Sequence, residues 1–393
     1  MRLTFFTNFF NHHQESLSNE FYNELGDNYK VVVYKEIEHE RIALGYADMN
    51  KKYDYIVRAY ESDEQMTAAV ELAKSSDVVM YGSAPDYIAD TALKNGALVF
   101  KYSERIYKKA IRFWQLPKCI VSNYIHYARF IKRGQCMLCA SAYLPADVNI
   151  FFKYNAMCFK WGYFPETKRY DDIGSLIMAK KRHSMLWAGR FLDWKHPDDA
   201  VRLCKKLKES GYDFELSIIG AGEMKNKLRK MIDEYKLTDC VHLLGSMPPC
   251  QVREYMERSQ IYLFTSDRNE GWGAVLNEAM NSGCAVVASH AIGSVPFILE
   301  NKKNGSVYND GDIDDLYCKV KVLFDNSDLC RGYGEQAYKT ITELWDAKNA
   351  AQRFLILANT IMKGDKGMGK FKNGPCSPAE VLDNNWYSGE KSL

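Results

Sequence analysis

Short apolar runs alternate with helix-patterned runs along most of the chain, and this alternation occurs twice. Apolar runs of this length, each followed by a helix, indicate a parallel β-sheet covered by helices on both faces. Because 393 residues exceed what one compact core usually holds, we predict two consecutive α/β domains. The predicted strands are Leu3–Phe6, Val31–Tyr34, Tyr55–Val57, Val78–Tyr81 and Leu98–Tyr102, then Met185–Ala188, Phe214–Ile219, Val241–Leu244, Ile261–Thr265 and Ala285–Ala288.

A polar stretch, Pro165–Asp172, separates the two halves. We expect an N-terminal Rossmann-like domain over 1–163, a linker over 164–183 and a C-terminal Rossmann-like domain over 184–345. A helix over 346–362 and a flexible tail over 363–393 complete the chain, since the tail is rich in Gly and Lys. Two facing sheets of this kind bind ligands in the cleft outside the carboxyl ends of their strands.

The cysteines and the apolar segments bear on the cellular compartment. Eleven cysteines without framework spacing are typical of free thiols in a reducing compartment. The pair Cys136 and Cys139 lacks the second pair that a zinc site of this kind needs. The apolar start has no cleavage site of a signal peptide, and no apolar run is long enough to span a bilayer. We therefore expect a cytoplasmic protein.

The net charge is only +2, but the stretch Lys101–Arg133 contains nine basic residues against one acid, Glu104. A basic, aromatic surface suits an anionic membrane or a phosphate-bearing partner, although surface helices are often basic without binding anything. The small net charge outside this stretch argues against a nucleic-acid-binding protein. The interleaved aromatic residues are Tyr102, Tyr107, Phe113, Trp114, Tyr124, Tyr127 and Phe130.

Two loops of the second half carry charged side chains suited to a nucleotide diphosphate. After the strand Met185–Ala188, Gly189 allows a turn, and Arg190 and Lys195 lie in the loop before a helix. Arg gives forked hydrogen bonds to phosphate oxygens, and Lys gives a mobile point charge. Two such cations can offset a diphosphate without a metal ion. A pair of solvated surface cations is the alternative.

The second loop starts at Glu270 and precedes a helix that carries Glu278. Backbone amides of Gly271, Trp272 and Gly273 can face sugar or phosphate oxygens, and a carboxylate at Glu278 can accept hydrogen bonds from two ribose hydroxyls. Each glutamate taken singly is better explained by the helix dipole or by solvent exposure. The combination with the upstream Arg and Lys favours a binding site.

Two further turns lie between these loops in sequence. Gly220 and Gly222 follow a strand, allow positive φ and permit close approach of a ligand at a helix N-terminus. Lys225 stands where a third glycine would indicate a nicotinamide or flavin site. Gly245 and Ser246 end another strand, where their backbone groups can pair with a nucleobase. Simple tight turns explain both segments equally well.

These residues together resemble the retaining glycosyltransferases of family 4, which adopt the two-domain GT-B fold. The resemblance rests on Gly189-Arg190, Lys195 and the Glu270-x7-Glu278 spacing, and it covers roughly residues 184–310. It implies that Arg190 and Lys195 bind the donor diphosphate, that Glu270 contacts the donor sugar and that Glu278 holds the nucleotide ribose. It also implies that no metal and no other cofactor is needed.

The first domain offers candidates for the acceptor or sugar side. Asn11, His12 and His13 follow the first predicted strand, and Glu104 follows the fifth. A neutral imidazole at His13 has both a donor and an acceptor for a hydroxyl. Glu104 lies where the family often has a His or an acid facing the sugar, but the family's Gly-rich loop after the first strand is missing. Helix-start positions without chemistry are an equal alternative.

The sequence thus predicts a retaining transferase that moves a sugar from a UDP- or GDP-linked donor to an acceptor hydroxyl. The expected acceptor is a lipid-linked or cell-surface saccharide, handled at the inner face of the cell membrane. Two alternatives remain: a nucleotide-sugar epimerase or phosphorylase on the same fold, and a non-catalytic partner that binds a nucleotide sugar.

Overall fold

The computed structural model describes residues 1–37, 48–109, 111–152, 156–383 and 385–387. The chain forms two compact units: unit 1 comprises Met1–Glu166 and Asp346–Leu382, and unit 2 comprises Thr167–Trp345 and Asp383–Leu393. Each unit contains one parallel sheet with helices, which confirms the predicted α/β class. Among the helices of the described ranges, none has the length and apolar character needed to cross a bilayer.

Unit 1 is built on a seven-stranded parallel sheet in the order β3-β2-β1-β4-β5-β6-β7. Its central strands are buried along most of their length, which explains the apolar runs. The short strands β6 and β7 were not predicted. The elements are β1 (Leu3–Thr7), α1 (His12–Leu25), β2 (Tyr29–Val33), β3 (Ile56–Arg58), α2 (Asp63–Ser75), β4 (Val78–Tyr81), α3 (Asp86–Lys94), β5 (Leu98–Ser103), α4 (Leu116–Asn123), β6 (Cys136–Cys139), α5 (Leu144–Asn149) and β7 (Cys158–Lys160).

Unit 2 is built on a six-stranded parallel sheet in the order β10-β9-β8-β11-β12-β13. The chain runs outward from β8 in one direction and from β11 in the other, so the strand order reverses between these two neighbours. In open α/β sheets, ligands bind at the carboxyl ends of the strands at such a point. The elements are α6 (Ile173–Met178), β8 (Lys181–Ala188), α7 (Pro197–Glu209), β9 (Glu215–Ile219), α8 (Lys225–Glu234), β10 (Val241–Gly245), α9 (Pro249–Arg258), β11 (Ser259–Phe264), α10 (Val275–Asn281), β12 (Ala285–Ser289), α11 (Val295–Ile298), β13 (Ser306–Tyr308), α12 (Ile313–Asp325) and α13 (Ser327–Lys339).

The last helix, α14 (Ala347–Met362), belongs to unit 1. Its Phe354 ring lies 4.8 Å from Phe100 and 5.7 Å from Trp161, measured between ring centroids. The chain then continues beside β7, where the amide of Lys160 donates to the carbonyl of Ser377 at 2.8 Å. We expected a flexible tail from residue 363 onward; residues 376–379 are instead fixed by backbone hydrogen bonds. Residues 384 and 388–393 of that expected tail lie outside the described ranges.

Candidate functional site

The loops after β8 and β11 are fastened to each other at the carboxyl edge of unit 2. The Thr265 hydroxyl lies 2.8 Å from the carbonyl oxygen of Lys195 and 2.9 Å from that of His196. The same hydroxyl accepts a hydrogen bond of 2.9 Å from the buried indole nitrogen of Trp187. In addition, the amide of Asp267 donates to the carbonyl of Trp194. These bonds fix the backbone of two loops that are far apart in sequence.

Two residues implicated by the sequence meet directly in this loop pair. Lys195 Nζ lies 2.5 Å from Glu270 Oε2, and both side chains are mostly buried, with exposed fractions of 14% and 11%. The Ser266 hydroxyl donates to the same carboxylate oxygen at 3.0 Å. A lysine ammonium has three donors, so the bond to Glu270 leaves capacity for an anionic ligand. The pair therefore presents a cation whose position is set before any ligand arrives.

Arg190 extends from the same loop in a different environment. Its side chain is exposed, and among the residues that the structure describes it has neither a hydrogen bond nor an ion pair. Gly189, just before it, continues the β8 ladder through a hydrogen bond from its amide to the carbonyl of Ile219. A guanidinium on such a fixed backbone can bind an oxyanion without first breaking an internal contact.

Glu278 lies in the first turn of α10. Burial raises the pKa of its carboxyl group, and the nearby Arg253 partly opposes that shift. No hydrogen bond within the described ranges connects its side chain to Lys195 or Glu270. Glu278 therefore follows the loop of Glu270 closely in sequence, but in the described structure the two carboxylates do not form one hydrogen-bonded cluster.

The glycines of the β9 turn are explained by the packing of the protein against itself. Gly220 has φ +145°, and a Cβ there would lie 1.9 Å from the carbonyl oxygen of Gly189. A Cβ on Gly222 would lie 2.6 Å from the carbonyl oxygen of Phe191. The sequence analysis predicted that these glycines permit the close approach of a ligand. The close approach seen here is instead to the loop that carries Arg190, so both glycines support the position of that loop.

The loop Glu270–Gly273 is anchored by a side chain to which the sequence analysis assigned no role. Trp272 is fully buried, and its ring lies 5.9 Å from that of Trp345. Its indole nitrogen donates to Asn277 at 3.0 Å. The indole thus anchors the loop in the core of unit 2 and cannot contact a donor. Gly273, with φ +77°, has no room for a Cβ, since that atom would lie 2.4 Å from Phe264.

The remaining predicted donor positions lie on the same sheet edge. Gly271 is buried between Glu270 and Trp272. Gly245 ends β10, and its carbonyl accepts a hydrogen bond of 2.8 Å from the amide of Gly220. Ser246 is exposed directly after it. The β9 and β10 turns are therefore joined by a backbone hydrogen bond.

A titratable group that the sequence analysis did not single out lies beside the Lys195–Glu270 pair. His196 has a left-handed backbone (φ +46°), and its Nε2 lies 3.6 Å from Asp267 Oδ2. The nearby Asp267 carboxylate raises the pKa of His196, and the same contact helps to lower the pKa of Asp267 against the effect of its burial. The sequence could have indicated this pair, since both residues lie in loops that connect a strand to a helix.

One group in the described ranges has the donor atoms of a metal site. Ligand atoms of His196, Asp198 and Asp199 lie within 4.8 Å of one another. However, Arg202 lies 2.9 Å from Asp198 and 2.5 Å from Asp199, and Lys227 lies 2.9 Å from Asp198. These cations already balance the two carboxylates, so the arrangement does not fit a divalent ion.

The candidates in unit 1 fall into two groups. Asn11 caps α1, because its side chain accepts a hydrogen bond of 3.0 Å from the amide of His13. The Gln14 side chain in turn accepts a hydrogen bond from the backbone amide of Asn11. This is the helix-start role that was the alternative for Asn11. The ring of His12 lies 3.8 Å from that of His13.

The second group links two predicted residues through one that was missed. The His13 ring stacks on Tyr163 with centroids 5.8 Å apart, and the Tyr163 hydroxyl donates to Glu104 Oε1 at 2.6 Å. Glu104 also forms an ion pair of 2.8 Å with Lys108. The structure thus brings His13 and Glu104 to one edge of the unit 1 sheet. Tyr163 gave no signal in the sequence, because it lies in an irregular segment after β7.

Comparison with known proteins finds a match to one family over part of the chain. Residues 171–340 match the family described as glycosyl transferases group 1. Over 133 residues the chain is 32% identical to the amylovoran biosynthesis glycosyltransferase AmsK of Erwinia amylovora, covering 33% of this chain and 32% of that protein. The chain thus spans about a third of the length of the first curated relatives it matches.

Solved structures show the fold over most of the chain. The structure of HepE from Anabaena in complex with UDP matches 92% of this chain and 100% of its own, with a TM-score of 0.66 and 12% identity. TarM from S. aureus, in complex with fondaparinux, α-GlcNAc-glycerol and UDP, matches 75% of this chain and 59% of its own, with a TM-score of 0.56 and 19% identity. Both likenesses support the predicted GT-B fold.

Proposed function

We propose that this chain, whose residues 171–340 belong to the group 1 glycosyl transferases, transfers a sugar from a nucleoside diphosphate sugar to an acceptor hydroxyl. The observation that carries the proposal is the fixed Lys195–Glu270 pair beside the unengaged Arg190. These side chains lie at the carboxyl ends of β8 and β11, where the strand order reverses. That is the position at which open α/β sheets bind nucleotides.

The donor is held by residues with separate tasks. Arg190 binds diphosphate oxygens through its guanidinium, and Lys195 directs its remaining ammonium hydrogens to the same group. Glu270, which holds Lys195, accepts hydrogen bonds from the donor sugar. Glu278 accepts hydrogen bonds from the ribose. Donors linked to UDP are favoured over those linked to GDP, since the HepE and TarM structures are both complexes with UDP.

Transfer proceeds with retention of the anomeric configuration. Negative charge develops on the departing diphosphate as the glycosidic bond breaks, and Arg190 and Lys195 stabilise that charge from preset positions. The acceptor hydroxyl then attacks from the face that the leaving group vacates, so its orientation decides the rate. His13 and Glu104, joined through Tyr163, are the residues of unit 1 that we assign to the acceptor or sugar side.

The acceptor is a saccharide of a cell-surface polymer, carried on a lipid at the inner face of the cell membrane. The support is the name of AmsK, a glycosyltransferase of amylovoran biosynthesis, together with the basic aromatic stretch of unit 1. Two cations at the diphosphate make a metal ion unnecessary for neutralising its charge.

A thermal-shift screen of UDP- and GDP-sugars tests the donor site. A ligand at a concentration of 100 times its Kd stabilises a protein by about 2.7 kcal/mol, so the true donor raises the melting temperature. The Arg190→Ala variant should lose this response, whereas Lys230→Ala, at an exposed ion pair on α8, should keep it. A screen in which no nucleotide sugar shifts the wild type contradicts the proposal. Sugar transfer with release of nucleoside diphosphate separates a transferase from an epimerase or a non-catalytic partner.

A further inference from the structure

The face of unit 1 around α4 exposes large apolar side chains in an unusual concentration. Phe113 and Trp114 have exposed fractions of 84% and 71%, the highest of the large apolar side chains in the described ranges. The helix that follows adds further exposed residues along one side: Ile120, Val121, Tyr124 and Ile125, at 40–56%. Single exposed apolar side chains are ordinary, but a contiguous group marks an interaction surface. We call residues Arg112–Ile125 the α4 surface.

The other side of this helical segment fixes which way the α4 surface faces. After α4, the chain continues through a π-helical turn, Tyr124–Ala128, into Arg129–Ile131. Phe130 is fully buried in the core of unit 1, and Ala128 is 1% exposed. Asn123, also 1% exposed, lies 3.3 Å from the Tyr107 hydroxyl. These buried residues anchor the segment in unit 1. The apolar side chains on its other side are therefore exposed on the surface of a correctly packed helix.

The structure also shows which of the nine basic residues in this stretch are engaged. Four are paired with carboxylates inside unit 1: Lys101 with Asp86, Arg105 with Asp147, Lys108 with Glu104 and Arg133 with Asp90. Lys101 and Arg105 are also buried, with side-chain exposures of 10% and 8%. The number of basic residues in the sequence therefore overstates the positive charge that is available to a binding partner.

Other cations of this stretch remain on the surface, and one of them lies close to an exposed ring. Arg112, Lys118 and Arg129 are exposed, and among the described residues none of them has an ion pair. The Arg112 guanidinium lies 5.4 Å from the Trp114 ring centroid. No Asp or Glu occurs between Arg105 and Arg133. The α4 surface thus combines apolar side chains with positive charge and lacks negative charge from its own segment.

We propose that the α4 surface docks on an anionic lipid bilayer, with the Phe113 and Trp114 side chains inserted at the level of the headgroups and the first acyl carbons. Aromatic side chains prefer this interfacial level, and neighbouring Arg and Lys are attracted to anionic lipids. A nucleic acid would match the cations but leave the aliphatic side chains without a partner. The inference goes beyond the proposed function, because it requires neither the donor nor the acceptor.

Co-sedimentation of the full chain with vesicles tests the proposal. Phosphatidylcholine vesicles with and without phosphatidylglycerol are compared at low salt. We expect binding only with phosphatidylglycerol. A Phe113→Ala/Trp114→Ala double variant should lower the binding constant at least about tenfold, through the buried apolar area that it removes. Arg112→Gln and Lys118→Gln should each weaken binding by about fivefold.

Matched controls lie on unit 2. Met178 and Val322 are exposed by 67% and 53%, so Met178→Ala/Val322→Ala removes exposed apolar surface elsewhere and should bind like the wild type. Insertion is read separately by quenching of tryptophan fluorescence with brominated phosphatidylcholine in the phosphatidylglycerol vesicles. The wild type should be quenched, and the Trp114→Phe variant should bind but lose the quenching. The remaining tryptophans are less exposed than Trp114.

Three outcomes would overturn the inference. The first is no binding to phosphatidylglycerol vesicles at low salt. The second is binding that the double variant leaves unchanged, or binding without quenching at Trp114. The third is a concentration-dependent dimer that the double variant abolishes, without vesicle binding, since the surface would then serve a second copy of the chain. A donor-induced thermal shift in the same samples keeps this question separate from the proposed function.

Discussion

Lys195 and Glu270 are 75 residues apart in sequence, yet the ammonium nitrogen of one lies 2.5 Å from a carboxylate oxygen of the other. The contact exists because β8 and β11 are neighbours in the sheet and both loops leave at the same edge. Each residue came from a separate sequence motif, and the fold makes them one group. The consequence is that a change in either loop will alter the position of the shared cation.

Arg190→Ala should reduce sugar transfer at least about 100-fold while leaving the melting temperature unchanged. The side chain is exposed and has no partner among the described residues, so its removal costs no internal contact. Loss of one preset positive group at a developing anion typically has an effect of this size, about 10²–10³ in rate. Initial rates and thermal melts of the purified variant check both statements, with Lys230→Ala as the control. Normal turnover in Arg190→Ala would remove this residue from the site.

Glu278→Gln should abolish donor binding and yet raise the melting temperature at neutral pH. Burial raises the pKa of this carboxyl group in the folded protein. A raised pKa means that its contribution to stability is complete below the unfolded pKa and is lost as the pH rises through the folded pKa. Glutamine is neutral at every pH and avoids that loss.

The measurement for Glu278 is a pair of melting curves against pH. The stability gain of Glu278→Gln over the wild type should grow as the pH rises from the unfolded pKa to the folded pKa, stay constant above the folded pKa and vanish at acidic pH. Such a gain, combined with lost function, is typical of strained binding sites. A variant that is less stable than the wild type at neutral pH would contradict the assigned burial cost.

Thr265→Val should destabilise the protein by about 1–3 kcal/mol, because valine keeps the shape and leaves the buried Trp187 indole nitrogen without its acceptor. The carbonyls of Lys195 and His196 lose their shared donor as well. Donor affinity should fall with it, since the loop of Lys195 is then less fixed. The control is Thr342→Val, a buried threonine of unit 2 whose hydroxyl bonds only to a carbonyl one helical turn earlier. Equal effects of both substitutions on donor affinity would argue against a positioning role for Thr265.

Gly220→Ala should displace the loop of Arg190 and lower both the melting temperature and donor affinity. The added Cβ would lie 1.9 Å from the Gly189 carbonyl oxygen, so the backbone itself must move. Gly211→Ala is the matched control, since Gly211 also has positive φ but open space around a Cβ. It should cost only about 1–2 kcal/mol of backbone strain and leave donor affinity intact. Donor titrations of the two variants distinguish a loop displacement from general strain.

The α/β class and the donor-side residues were predictable because their signals are local. A strand that ends in a loop with Arg190 or Glu270 can be identified from a few neighbouring residues. The burial of Trp272 was not predictable, since it depends on Trp345, which the fold brings from far along the chain. The same holds for Tyr163, whose link to His13 and Glu104 exists only in three dimensions.

Charge counting failed for a related physical reason. The sequence shows which residues are basic, but it does not show which distant acids neutralise them. Asp86, Asp90 and Asp147 come from outside the segment Lys101–Arg133 and pair with three of its basic residues. Residues 376–379 were expected in a tail because the segment 363–393 is rich in Gly and Lys, whereas backbone hydrogen bonds to β7 fix them irrespective of composition.

The return of α14 to unit 1 determines how this chain can be divided into fragments. A truncation after Trp345 would strip Phe354 from Phe21, Phe100 and Trp161 and would open the apolar interior of unit 1 to water. Residues 167–345, by contrast, hold nearly all of unit 2 in one uninterrupted segment. That segment can therefore be expressed alone and titrated with nucleotide sugars, whereas unit 1 requires both Met1–Glu166 and Asp346–Leu382.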